Sequence, residues 1–238
     1  MKINNPKIYL GLTTTRSSNW REKIKEIKKM AITEIALFPT TLNPRERQEL
    51  YLELENTPIE YIPFVHLRHD STQQEIEYLK NKYDTKLFNI HSTQDALANF
   101  TNYKDKNLIY IENGDRLEKE FFDVLDNYAG VCLDMAHWED YGILQKDKTY
   151  QNFPEVLKNH KIGFSHVSTV RNNPYFRHYD YHCSHERHYS AHLMEHLEDL
   201  DYLKKYREYL PEICGLELEN SLTEQLEAKR YIEENILK

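Results

Sequence analysis

Residues 130–142 read GVCLDMAHWEDYG. Gly130, Val131, Cys132 and Leu133 make a small, apolar run suited to the inside of a sheet, yet the run leads straight into Asp134 and then His137. A carboxylate at the end of a core-bound strand is costly unless a partner or a bound ion compensates it. Similar runs recur at 8–12 (IYLGL), 32–38 (ITEIALF), 59–67 (IEYIPFVHL), 86–92 (KLFNIHS), 107–113 (NLIYIEN), 162–168 (IGFSHVS) and 213–220 (ICGLELEN). Segments with helical periodicity lie between them. In WREKIKEIKKM (20–30), Ile24, Ile27 and Met30 share one face with lysines opposite. Most strand starts are roughly 20–30 residues apart, the length of one β-loop-α-loop unit. Eight such units predict an α/β fold, a single (β/α)8 TIM barrel spanning residues 1–238. An open doubly wound sheet would carry a glycine-rich first βα turn, which GLTTTRSSNW (11–20) does not supply. The longest connection, about 169–212, holds TVRNNPYFRHYDYHCSHERHYSAH before a predicted helix over 192–210. A long βα connection belongs at the catalytic face of a barrel.

Composition bounds the class. The chain is 39% hydrophobic and 29% charged, an ordinary globular balance. No apolar run is long enough to span a bilayer, so no membrane partner is expected. MKINNPKIYL lacks the apolar stretch of a signal peptide. Cys132, Cys183 and Cys214 are odd in number without framework spacing, which predicts reduced thiols and a cytoplasmic protein. A net charge of −8 argues against a broadly basic nucleic-acid surface but leaves room for a local basic groove. A homodimer through the outer helices stays open, since no residue pattern demands or forbids it.

Active sites of such barrels lie at the C-terminal ends of the strands. Those ends carry His66, His91, Glu112, Asp134 with His137 just beyond, His166 and Glu219. Alternation points them inward: Ile109 and Ile111 face out while Tyr110 and Glu112 face in, and Val131 and Leu133 face out while Asp134 faces in. In ICGLELEN, Leu216 and Leu218 face out, which turns both Glu217 and Glu219 inward. Three carboxylates and several imidazoles in one mouth call for a divalent cation such as Mn, Zn, Mg, Co or Fe(II). Asp134 is therefore expected to bind a metal, and His137 a second metal or the substrate.

Glu on the fifth run, Asp-x-x-His on the sixth, His on the seventh and Glu on the eighth resemble the xylose isomerase-like TIM-barrel superfamily, which includes sugar-phosphate isomerases, epimerases and endonuclease IV. The resemblance implies Glu112, Asp134, His166 and Glu219 as metal ligands. In the epimerase branch Glu112 and Glu219 would also be acid and base and His137 would contact substrate. The leading expectation is isomerisation or epimerisation of a small sugar or sugar phosphate through a metal-stabilised enediolate, with one ion, and the phosphodiesterase is the alternative. In the endonuclease branch His66, His91, His137, Asp180 and His182 would bind further ions, two to three Zn or Mn in all. The chain would then be a phosphodiesterase acting on abasic DNA or another phosphodiester. Nucleic acid is a partner only in that branch. Where many members carry an Asp shortly after the seventh-strand His, this chain reads HVSTVRNN (166–173). Glu217 is expected behind the ligands, orienting one of them. Arg171 and Arg177 are candidate phosphate contacts near the last strands, and Trp138 is a candidate stacking surface for a sugar.

Overall fold

The computed structural model describes residues 6–15, 17–179 and 182–238, the side chains of 177–179 and 182–186 excepted. Its strands are β1 (Lys7–Tyr9), β2 (Gly11–Thr13), β3 (Ala36–Phe38), β4 (Phe64–His66), β5 (Leu87–His91), β6 (Ile109–Glu112), β7 (Val131–Asp134), β8 (Ile162–Val167), β9 (Thr169–Tyr179), β10 (His182–Ala191) and β11 (Ile213–Leu216). All except β9 and β10 form one nine-stranded parallel sheet in the order β1-β11-β8-β7-β6-β5-β4-β3-β2. The eighth expected run supplies the partner of β1, and β2 pairs with β3, so the first expected run serves both edges. It splits at Leu10, which gives nine strands where eight were expected and leaves the barrel nearly closed.

A side chain bridges the split. Gln225 lies on the last helix, α8 (Leu222–Asn235), and is fully buried. Its Oε1 accepts the Gly11 N–H at 2.7 Å, and its amide nitrogen lies 3.0–3.1 Å from the carbonyls of Gly11, Leu218 and Asn220. A capping box of Ser221 and Glu224 starts α8 at the register that delivers Gln225. The helices α2 (Pro44–Glu55) and α3 (Gln73–Tyr83), with their own boxes from Asn43 and Glu46 and from Thr72 and Glu75, stand outside the sheet.

Strand alternation sorts the core into two layers. Outward residues such as Ile109, Ile111, Val131, Leu133, Leu216 and Leu218 pack under the helices. Inward residues Tyr9, Ala36, Phe38, Phe64, Tyr110, Cys132 and Phe164 fill the barrel. Gly215 leaves room for that filling, because a Cβ there would lie 2.3 Å from Phe64 Cζ. Gly130 has φ +135°, and a Cβ there would meet the Lys161 carbonyl at 2.2 Å, so only glycine leads into β7 without strain.

The 169–212 connection differs most from expectation. It begins with a two-stranded antiparallel ribbon, β9 and β10, whose Val, Tyr and Phe content favours strands. The expected helix over 192–210 is a 3-10 helix over Leu197–Tyr209. Asp140, fully buried, ties the ribbon down by accepting the Tyr189 and Ser190 N–H groups and the Ser190 hydroxyl at 2.8–2.9 Å. Among the described residues no helix is long and apolar enough to cross a membrane.

Removing Gln225 strands several buried backbone groups at the split. Gln225→Ala should therefore cost about 2–4 kcal/mol in urea unfolding, given ~1–3 kcal/mol for each unsatisfied group. A loss under ~1 kcal/mol would mean the barrel closes without this bridge.

Candidate metal centre

The inward face turns from aromatic to polar one layer above Phe64, Cys132 and Phe164. Register explains the change: His66 sits beside Asn89, His91 beside Glu112, and Asp134 beside His166. His166 also neighbours Gly215, and Glu217 follows one pleat further along. The upper rim of six adjacent strands, β4 to β8 and β11, thereby aims its last inward side chains at one point.

Overlapping donor groups meet there, one of them His66 with His166 and Glu217. Glu112, Asp134, His166 and Glu217 present ligand atoms that all lie within 4.8 Å of one another, and so do His66, His91 and Glu112. Glu112 belongs to both. Its Oε1 is 3.6 Å from His166 Nδ1 and 3.7 Å from His91 Nε2, while its Oε2 is 3.5 Å from His66 Nε2. His166 Nδ1 is also 3.4 Å from Glu217 Oε2. These separations are too long for hydrogen bonds and match the ~3.4 Å edge of a tetrahedron of ligands about 2.1 Å from a metal. Exposure is 2% for Glu112, 1% for Asp134, 0% for His166 and 5% for Glu217, so water does not compensate the carboxylates. Asp134 Oδ2, His166 Nδ1 and His66 Nδ1 are buried with no hydrogen-bond partner. Unpartnered donors of this kind, all nitrogen and oxygen, fit a divalent ion.

Burial works to lower the His166 and His91 imidazoles, but Cys132 and Glu112 beside the first and Glu112 beside the second raise both. Burial drives the His66 imidazole down to about 3, leaving it neutral and able to ligate. Burial works to raise Glu112, but His66, His166 and His91 hold it well below the usual carboxylate range. Glu217 is likewise pulled down against burial, to about 2, by His192 and His166. Asp134 is raised by burial.

Supporting residues hold the ligands. Asn89 Nδ2 donates to Glu112 Oε2 at 2.6 Å. Asn113 brackets Asp134, donating to its carbonyl at 2.7 Å and accepting its N–H at 2.8 Å. Asp134 Oδ1 accepts the His137 N–H at 2.8 Å, capping the short helix that follows β7. His137 Nδ1 lies 3.0 Å from Asp115 Oδ1, and its Nε2 lies 3.6 Å from Asp134 Oδ2. A cavity of about 680 Å³ opens above the donors. Its lining includes Thr15, Thr40, Ser92, Thr93, Gln94, Asp115, Glu118, Glu120, His137 and His192.

The expected ligands are not all placed as expected. His66, His91, Glu112, Asp134 and His166 converge, with His91 half-exposed at the rim. Glu217 takes the place expected for Glu219. The ladder carries on from β11 as far as Glu217, whose N–H donates to the Val167 carbonyl, whereas the Glu219 N–H turns to the His192 carbonyl. Glu219 instead accepts the Thr15 hydroxyl at 2.6 Å and does not join either group. His137 stands beside Asp134 without joining them. Trp138 does not line the cavity; it is buried against Phe153, Tyr206 and Tyr209. Arg171 pairs with Glu195 at 2.8 Å, stacks on Tyr175 and does not line the cavity either. Asp180 and the side chains of Arg177 and His182 lie outside the described residues.

Three contributors were not anticipated. Asn89 was legible, being two residues before His91 on one inward face. Asp115 follows its strand by three residues and has no periodic signal. His192, whose Nδ1 lies 3.1 Å from the Glu217 carbonyl oxygen, sits beyond the ribbon, where spacing says nothing. No protein-family model matches this chain, and no curated protein matches it. The functional reading therefore rests on the geometry.

His137 gives a pH test. Burial disfavours its charge, but Asp134 and Asp115 outweigh that and raise it from 6.5 to about 10. A group raised on folding stabilises fully below its unfolded value, and that contribution is lost as pH climbs through the folded one. Between pH 6.5 and 10 the melting temperature of chelator-treated protein should fall more steeply than that of His137→Gln. Parallel profiles would contradict the assignment.

Proposed function

We propose that this chain is a metal-dependent phosphodiesterase, built on a (β/α)8 barrel of the xylose isomerase-like kind and nearest in design to its endonuclease IV branch. The observation that carries the reading is the sharing of Glu112 between two donor groups. One ion would be served by Glu112, Asp134, His166 and Glu217 alone. His66, approaching Glu112 Oε2, and His91, approaching Oε1, supply donors for a second.

The chain's own residues divide the work. Glu112 Oε1 faces both His166 and His91, while its Oε2 faces His66 and accepts the Asn89 amide, which fixes its orientation. His66, neutral through burial, and His91 complete the outer group, nearer the cavity mouth. Asp134, His166 and Glu217 complete the inner one. When bound, divalent ions supply acidified water and charge neutralisation at phosphoryl oxygens. His137, steadied by Asp115 and Asp134, borders the cavity as a cation and is placed to donate to a phosphoryl oxygen. The hydroxyl and amide side chains of Thr15, Thr40, Ser92, Thr93 and Gln94 would receive the organic part of the substrate.

A sugar isomerase using one ion is the second reading, favoured by the four-donor group considered alone. Acid-base exchange would then fall to Glu112 and Glu217, and the His66 and His91 donors beside Glu112 would have no role in it. Both readings meet in one assay. Metal-loaded protein should hydrolyse bis(4-nitrophenyl) phosphate, and His91→Asn, which empties one side of Glu112, should lower kcat about 100-fold or more. Abasic DNA offered alongside tells whether the diester is nucleic acid. Turnover of ketoses or their phosphates with none of either diester would overturn the phosphodiesterase in favour of the isomerase.

A further inference from the structure

Cys132 lies one inward position below Asp134 on β7 and is fully buried. By sequence it is a small core residue, and nothing in the reaction above uses it. Its sulfur, however, lies 3.4 Å from His166 Nε2. The other ring nitrogen, Nδ1, is the unpartnered atom aimed at Glu112 and Glu217. His166 is therefore held on one edge by a thiol and presents the other edge to the carboxylates. The ring is confined on its faces as well. It stacks on Phe64 at 5.6 Å and meets Phe38 edge-on at 5.0 Å.

A metal-binding histidine needs one nitrogen bare and the other bonded, and the partner of the second nitrogen decides which is which. That partner is commonly a carboxylate or a carbonyl, which can only accept. A thiol can accept the Nε2–H or donate S–H to a bare Nε2.

We propose that Cys132 is a positioning residue for the metal centre, its sulfur engaging Nε2 of His166 so that Nδ1 is the nitrogen offered to metal. The proposal rests on the metal reading of the site and not on which reaction the site performs. Cys132 also lies with Glu112 and His166 in a group close enough to share an ion, so direct ligation through sulfur is the competing role.

Chelator competition with Co²⁺ on the full chain separates these roles. Cys132→Ala should weaken cobalt binding about 10- to 100-fold without changing the number of ions, the usual effect of removing a ligand's outer partner. Cys132→Ser, which keeps a group able to donate and accept, should return affinity to within about threefold of wild type. Wild-type cobalt protein should lack the intense near-ultraviolet band of sulfur-to-cobalt charge transfer. Unchanged affinity in the alanine variant, or a serine variant as weak as alanine, would overturn the proposal. A charge-transfer band that the serine variant loses would make Cys132 a ligand and overturn it equally. Should the alanine variant fail to fold, the spectrum and the serine variant decide. Wild-type protein that binds no cobalt would remove the metal reading itself, before any variant is compared.

Discussion

The placement of Glu112 constrains the rest of this structure. A buried carboxylate is tolerated only where opposite charge or hydrogen-bond donors surround it. Here three imidazoles and the Asn89 amide approach it from three strands. Two further carboxylates, Asp134 and Glu217, stand within the same few ångströms. The polar layer would be self-repelling on its own terms, and it is carried by a well-filled aromatic layer immediately below. Phe38, Phe64, Tyr110 and Phe164 pack edge-to-face or stacked at 4.4–5.5 Å and leave the polar groups no room to retreat into the barrel.

The same logic runs through the surrounding shell. Asn113 fixes Asp134 by its backbone, Asp115 steadies His137, and the Cys132 thiol occupies the far edge of His166. Asp140 then binds the ribbon to the helical segment that begins at Asp134, so the longest insertion of the chain is attached close to the site. Tyr141 extends that attachment, stacking near His137 and bonding His188 of the ribbon at 2.8 Å. Ligands on strand ends and supports on the loops just after them divide rigidity from adaptability.

Most of this was legible in the chain because strand alternation is a strong rule while a strand lasts. Tyr110, Glu112, Cys132 and Asp134 face inward as their parity predicts, and the outward isoleucines and valines pack beneath the helices. The rule fails where the pleat stops. Glu219 looked equivalent to Glu217 because the apolar alternation of ICGLELEN runs through both, but the ladder to β8 stops with the Glu217 N–H. The split of the first strand at Leu10 was hidden for a similar reason, since IYLGL has uninterrupted strand character and the break depends on Gln225, more than two hundred residues away. The ribbon went unseen because histidine, asparagine and arginine interrupt its apolar pattern. Its pairing follows from two strands meeting each other and from the anchor at Asp140, neither of which a local pattern displays.

The central claim is that Glu112 stands between two divalent ions. Anomalous diffraction from crystals grown with Mn²⁺ tests it most directly. The account predicts two anomalous peaks about 3.5–4 Å apart, the usual spacing of paired catalytic metals, one on each side of the Glu112 carboxylate. A single peak among Glu112, Asp134, His166 and Glu217, with His66 and His91 left bare, would contradict it.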